Sequence, residues 1–397
     1  MNQISLPSTE DRILDVLLTY AIMDLGLRVD PNIRFEITLG REIFLKIRSE
    51  IPAEKLGERM LLTLRENSRS FTVADGLNFP LNVGSMRWFV RPSVCFYCLG
   101  KKGCNSRGEC GKTNIPAYAV LNNWIDKAIE CFSFPWKPKP ITKTKSKKKR
   151  DLYSTAYVGI TPYWSKGERI WDSGKWRDPP TKVVYPVLPF ALYGMALYVL
   201  KKKVGDVLVQ LFFSPPFGKI LVHKEAIKLL ALIKRIVNIA NLTMGELFRL
   251  ETPLVSLPLL LPCLLDVSAI YMLYEIMPSM LFVNYDMKRG YPVNPRGYEE
   301  FSLADVIEFY KQIGEHFWSF RSMITDLLRI ATRREQYRSL IFSILIELAL
   351  SIKNREPSFL NNALIKVQSL RKEVKGVKVH TLKSDEVIAA HIALSNL

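Results

Sequence analysis

The chain has 397 residues, which allows more than one domain at roughly 100–200 residues each and a core that needs no disulfide staple. Apolar residues make up 48% and charged residues 24%, which excludes wholesale disorder. Lysine and arginine number 56 against 38 acids, and this surplus of 18 positive charges predicts attraction to a polyanion, either nucleic acid or an anionic membrane face.

Met1 to Pro7 lacks the charged-then-apolar layout of a secretory signal, so a cytoplasmic location is expected. Ser8, with Asp11 at the capping-box position, predicts a helix carrying Leu14, Leu17, Leu18, Ala21, Ile22 and Leu25 on one face and closed by Gly26. Two alternating runs follow: Phe35, Ile37 and Leu39, then Ile43, Leu45 and Ile47. Gly40-Arg41 between them reads as a two-residue hairpin turn. Residues 55–66 read as helix, 68–94 as short strands, and Asn114 with Pro116 as the start of a helix to about residue 131.

Between the last two lies a cysteine module, 91–112. Cys95, Cys98, Cys104 and Cys110 have the spacing C-x2-C-x5-C-x5-C, and Gly100, Gly103 and Gly108 allow tight turns between them. Four thiolates suit tetrahedral zinc, which stabilises such modules by ~10–16 kcal/mol. The same ligands suit an iron–sulfur cluster, and free thiols are the third reading. Disulfides are disfavoured without a signal peptide. Lys101, Lys102 and Arg107 on the knuckles are candidate phosphate contacts or simply a solvated surface.

Residues 135–150 read as a mobile basic loop. From Lys137 to Arg150 there are eight basic residues and no acid, with Lys143, Lys145, Lys147, Lys148, Lys149 and Arg150 as the densest cluster. Such a run repels itself and cannot build a core. Residues 151–180 interleave aromatics (Trp171, Trp176) with basic residues, which suits base stacking or an ordinary core.

Two apolar stretches, 183–200 and 253–283, approach membrane-spanning length. Pro186, Pro189 and Gly194 in the first, and four prolines with Asp266 and Glu275 in the second, favour a buried strand-turn-helix and a core helix pair. Residues 207–213 read as a strand. From His223 onward the pattern is almost entirely helical. Residues 224–250 carry an apolar stripe at Ile227, Leu230, Ile233, Val237 and Ala240, and 288–297 is turn-rich. Ser302 with Asp305 forms a second capping box, opening a periodic run to about 352 long enough for two helices. Shorter helices at 358–374 and 384–397 follow. Within the long run, Arg329 with Arg333 and Arg334 with Arg338 are i,i+4 pairs. They would put four guanidiniums on adjoining faces of one helix, facing a phosphate backbone or partly paired with Asp326 and Glu335.

The expected fold is therefore α+β: a mixed domain over 1–220 containing the zinc knuckle and basic loop, and a mostly α-helical bundle over 221–397. Catalytic templates are missing. His223, His316, His380 and His391 are scattered with no H-E-x-x-H pair, and neither a G-x-x-x-x-G-K-[ST] loop nor a G-x-G-x-x-G turn occurs. No base, nucleophile and orienting group coincide, so a binding protein and not an enzyme is expected.

The N-terminal helix and the 35–47 hairpin, the four-cysteine knuckle, the basic central segment and the helical second half together resemble the large subunit of archaeal type I-A CRISPR interference (Cascade) complexes. The resemblance is one of layout, size and cysteine cluster. It implies a non-catalytic subunit of a crRNA-containing complex beside backbone and small subunits. Such a subunit helps recognise the protospacer-adjacent motif in double-stranded DNA, holds the opened strands with its helical half along the displaced strand, and helps recruit the helicase-nuclease. Two other classes remain open: a metal-dependent nucleic-acid enzyme whose acids converge only in three dimensions, and a membrane-associated protein using one of the apolar stretches.

Overall fold

The computed structural model describes residues 1–9, 12–73, 79–83, 86–90, 122, 125–126, 128–130, 132–135, 137–138, 153–154, 157–158, 183–184, 187–204, 207–215, 218–243, 259, 279–286, 294–374 and 379–397. Among them helix predominates and the sheets are small. The chain forms two compact units. The first comprises Met1–Lys234 and Val283–Tyr298, and the second Arg235–Phe282 and Glu299–Leu397.

The first unit opens with strand β1 (Asn2–Pro7), helix α1 (Arg12–Val29), strands β2 (Arg34–Ile37) and β3 (Ile43–Ser49), and helix α2 (Ala53–Val73). β1 pairs antiparallel with β3, β3 with β2, and β2 with β13 (Lys219–Leu221). The register aligns Ile4, Ile47, Phe35 and Leu221 in one cross-strand row and Leu6, Leu45 and Ile37 in the next. All seven side chains are buried, as side-chain alternation requires of one core face. On the other face Lys46 stands opposite Glu36, with Nζ 2.6 Å from Oε1.

Short strands follow: β4 (Phe79–Val83), β5 (Met86–Val90), β6 (Phe132–Ser133), β7 (Lys137–Pro138), β8 (Tyr153–Ser154), β9 (Tyr157–Val158) and β10 (Val183–Val184). β5, β4 and β9 make one small sheet, β6–β7 and β8–β10 two others. Helix α3 (Val187–Tyr198) leads into β11 (Val199–Val204) and β12 (Val207–Ser214), and helix α4 (His223–Thr243) follows β13. A further sheet has the order β11-β12-β14-β15, with β14 at Ser279–Asp286 and β15 at Asn294–Ser302.

Leu14, Val16, Leu17, Leu18, Tyr20, Ala21, Ile22, Met23 and Leu25 are all buried in α1. A helix apolar around most of its circumference belongs in the middle of a core, and α1 packs against α2, α3 and the sheet. Its contact with α3 is close. A Cβ on Gly194 would overlap the Leu17 carbonyl, so only glycine fits there.

Several expectations are corrected. Helix α1 begins at Arg12 and Ser8 Oγ donates to Asp15, while Asp11, the expected capping-box partner, lies outside the described residues. Gly26 does not close α1, which runs to Val29. A Cβ there would come within 2.9 Å of Ile33 Cδ1, so this glycine serves close packing. The 35–47 hairpin forms, but Gly40-Arg41 is only part of its turn. Thr38 and Leu39 both donate to the Phe44 carbonyl, with Leu39 at φ 42°, so the connection is longer than two residues. Strand β1 was not anticipated, although Ile4 and Leu6 alternate with Gln3 and Ser5. In α4 the buried stripe is Ala226, Leu229, Leu230, Ile233 and Val237, leaving Ile227 exposed. The region after His223 is not almost entirely helical: β14 and β15 occupy part of the stretches read as a core helix pair and a turn.

The apolar stretch 183–200 forms β10 and α3, the expected strand followed by a helix. No helix among the described residues is long and apolar enough to cross a membrane.

In the second unit, helices α5 (Ala304–Gln312), α6 (Phe317–Arg333), α7 (Arg338–Asn354), α8 (Pro357–Glu373) and α9 (Ser384–Asn396) pack into a bundle. The run expected to hold two helices holds three, separated by 3-10 turns at Gly314–His316 and Glu335–Tyr337. Ser302, expected to cap α5, instead ends β15, and the N-cap residue is Leu303, which makes no side-chain bond. Aromatic edges meet faces in the bundle core, with centroids of Phe309 and Phe320 5.5 Å apart and of Tyr310 and Phe317 5.2 Å apart. Glu386 on α9 accepts hydrogen bonds from Ser319 on α6 and from the Lys383 amide.

Candidate nucleic-acid interface

The sequence of α6, FWSFRSMITDLLRIATR, buries Phe317, Phe320, Met323, Ile324, Leu327, Ile330 and Ala331. These positions recur at helical spacing and turn one stripe inward. The opposite stripe is set by the same period: Trp318, Ser322, Thr325, Arg329 and Arg333 are exposed. Arg329 Nη2 lies 2.7 Å from Asp326 Oδ1, and the other oxygen of Asp326 accepts from the His380 amide at 2.9 Å. That acid is thus held from two sides.

The four arginines do not share one helix. α6 ends at Arg333, and Arg334 is extended at φ −133°, ψ 91°. Arg338 is the first residue of α7, with Nη1 3.5 Å from Glu335 Oε1 and Nε donating to the Ala331 carbonyl at 3.4 Å. The i,i+4 geometry expected of Arg334 and Arg338 is absent, because a 3-10 turn replaces the continuous helix it needs. Arg329 and Arg333 keep theirs. The sequence reading missed Trp318, which is 54% exposed with the Arg321 guanidinium 5.3 Å from its ring centroid. The signal was present: an aromatic three residues before an arginine on the polar side of an amphipathic helix.

A second cationic pair lies on the outer face of the first unit's sheet. The register sets Arg34 directly opposite Arg48, and both are exposed. Like charges facing across strands repel, and an anion between them would relieve that repulsion.

Asp24, only 8% exposed, is a buried carboxylate of the first unit with two cationic neighbours. Its Oδ2 accepts from Tyr193 Oη at 2.8 Å and Lys234 Nζ at 3.0 Å, and its Oδ1 from Arg28 Nε at 3.5 Å. Burial alone would raise its pKa, but the Lys234 ammonium, the Tyr193 hydroxyl and the Arg28 charge outweigh burial and hold it below the usual carboxylate range. Burial and the Asp24 charge push the Tyr193 and Tyr198 phenols up, so both stay neutral. Tyr198 stacks on Tyr20 at 5.1 Å and lies under Lys234. The group ties α1, α3 and α4 together.

A cleft of about 240 Å³ between α2 and residues 128–134 holds Glu54 and Glu58 at helical spacing. That is below the ~300–1,000 Å³ common for small-molecule sites. Among the described residues no three His, Cys, Asp or Glu side chains group as metal ligands. Cys95, Cys98, Cys104 and Cys110 lie outside the described residues, as do Lys101, Lys102, Arg107, Lys143, Lys145, Lys147, Lys148, Lys149, Arg150, Trp171 and Trp176. No protein-family model matches the chain, and no curated protein matches it significantly.

Proposed function

We propose that this chain is a non-catalytic nucleic-acid-binding protein and, at a finer level, the large subunit of a crRNA-guided type I-A CRISPR complex of the cytoplasm. The observation that carries the binding reading is the outer stripe of α6. It presents Arg329, paired with Asp326, and Arg333 to solvent in a chain with 18 surplus positive charges. The finer reading is supported by the resemblance in layout: the hairpin, the cysteine cluster, the basic segment and the helical second half. In this role the chain grips target duplex and displaced strand, helps read the protospacer-adjacent motif, and helps bring in the helicase-nuclease. The four cysteines hold zinc as a structural ion.

The test is a mobility-shift titration of the full chain with a short duplex at several salt concentrations. Affinity should fall with salt at a log–log slope of about 0.9 per phosphate contact. Replacing Lys147, Lys148, Lys149 and Arg150 by alanine should weaken binding and flatten that slope. An unchanged slope would remove the loop from the interface, and absence of any shift would refute nucleic-acid binding. Copurification of a short RNA and partner subunits from native cells tests the finer reading.

A further inference from the structure

An antiparallel sheet that buries one face leaves the other to solvent or to a partner. The inner face of the β1-β3-β2-β13 sheet is closed by the core. Its outer face carries two cross-strand rows: Gln3, Arg48 and Arg34, then Ser5, Lys46, Glu36 and Ile220. The same register carried one residue past β13 sets Val222 level with Arg34. Arg34 and Arg48 are exposed, and neither guanidinium bonds to another described side chain. The Cβ atoms of directly opposed residues stand ~5 Å apart, so one carboxylate can reach both guanidiniums. Ile220 and Val222, at the β13 edge, are 55% and 40% exposed. The face is therefore cationic in its middle and apolar along one side.

That pairing narrows the occupant. Of the nearby acids, Glu36 is bonded to Lys46, Glu225 accepts from the Val222 amide at 3.1 Å, and exposed Glu50 lies beyond Arg48. A phosphate backbone gains nothing from Ile220 and Val222 and meets Glu36 and Glu50. A second copy of the chain would set the same unpaired arginines against these. A protein segment that carries both an acid and an apolar side chain satisfies the two halves together. With strands ~4.8 Å apart, the midline between β3 and β2 lies ~7 Å from β13. Residues i and i+2 of an extended segment span that distance and project to one side.

We infer that the outer face of this sheet docks an acidic segment of a partner protein, its carboxylate between Arg34 and Arg48 and an apolar side chain two residues away on Ile220 and Val222. The inference does not depend on the nucleic-acid reading.

The full chain is titrated by fluorescence anisotropy with labelled peptides that repeat a glutamate–leucine pair, one to four residues apart, on a Ser/Gly background. A DNA duplex and vesicles containing phosphatidylserine are titrated beside them. The two-residue spacing should bind best. Arg34→Gln with Arg48→Gln should weaken that peptide about tenfold or more, as loss of charge-assisted hydrogen bonds requires, and leave duplex affinity within about twofold. Ile220→Ser with Val222→Ser should weaken the peptide about fivefold. Arg34→Glu with Arg48→Glu should lose the glutamate peptide and gain one with lysine in its place, a gain that a misfolded variant cannot show. Absence of peptide binding by the unaltered chain, binding indifferent to spacing, or wild-type peptide binding by the arginine variant would overturn the inference. So would an equal or larger loss on duplex or vesicles, which would give the face to nucleic acid or lipid, and so would a dimer in sedimentation that Ile220→Ser with Val222→Ser dissociates. Thermal melting of each variant separates lost binding from lost folding.

Discussion

Asp24 shows how one residue can hold a unit together. Its carboxylate faces Tyr193 and Lys234, 169 and 210 residues away in the chain, so no local spacing in the sequence marks the group. Because its folded pKa lies below the unfolded value, its contribution is present above about pH 4 and is lost as pH falls through the folded pKa. Asp24→Asn should destabilise the first unit by about 2–3 kcal/mol at pH 7, since Lys234 and Arg28 lose their counter-charge. The difference from the unaltered chain should shrink at pH 3, as measured by urea unfolding at both pH values. Gly194 carries a related lesson. In the sequence it counts only as a helix breaker, whereas in the fold it lets α3 approach the Leu17 carbonyl. Composition suggests that such a glycine has a role, but only the packing says which.

Among the elements, those with a strong period were legible. Helices α8 and α9, the 35–47 hairpin and β12 fall close to where alternation and helical spacing place them. The break between α6 and α7 was not, because the apolar period continues almost in phase across the 3-10 turn at Glu335–Tyr337. A pattern that survives an interruption hides it, and the supposed arginine quartet fails for that reason. The end of α7 yields a prediction of its own. Arg355 caps it at φ 57°, ψ 37°, a left-handed conformation that costs a side chain about 1–2 kcal/mol. Its contact with Asp305 is long at 3.5 Å, with both side chains about half exposed, and so contributes little. Arg355→Gly should stabilise the second unit by about 0.5–1 kcal/mol, read as a raised unfolding midpoint in thermal melts.

For the whole molecule, charge and broad composition were readable at once, whereas the return of 283–298 to the first unit was not. No periodicity tells that 283–298 clusters with a unit that otherwise ends at Lys234, because that pairing is non-local. The proposed zinc site falls by number within the first unit, and this gives a prediction at the largest scale. Elemental analysis of the purified chain should find about one equivalent of zinc, as a closed four-thiolate site requires. Chelation or Cys98→Ser should lower the unfolding transition that Asp24→Asn also lowers, and spare the one that Arg355→Gly raises. A protein without metal, or a single transition moved equally by every change, would remove the zinc site or the independence of the two units.

The discontinuity of the first unit bears on how the polypeptide is born. Its last segment leaves the ribosome only after residues 235–282 have been made, so the nascent unit must wait on the order of seconds with part of the β11-β12-β14-β15 sheet missing. During that interval β12 lacks its later neighbour and exposes a strand edge, which makes translation speed and chaperone supply determinants of yield when the chain is produced in a foreign host.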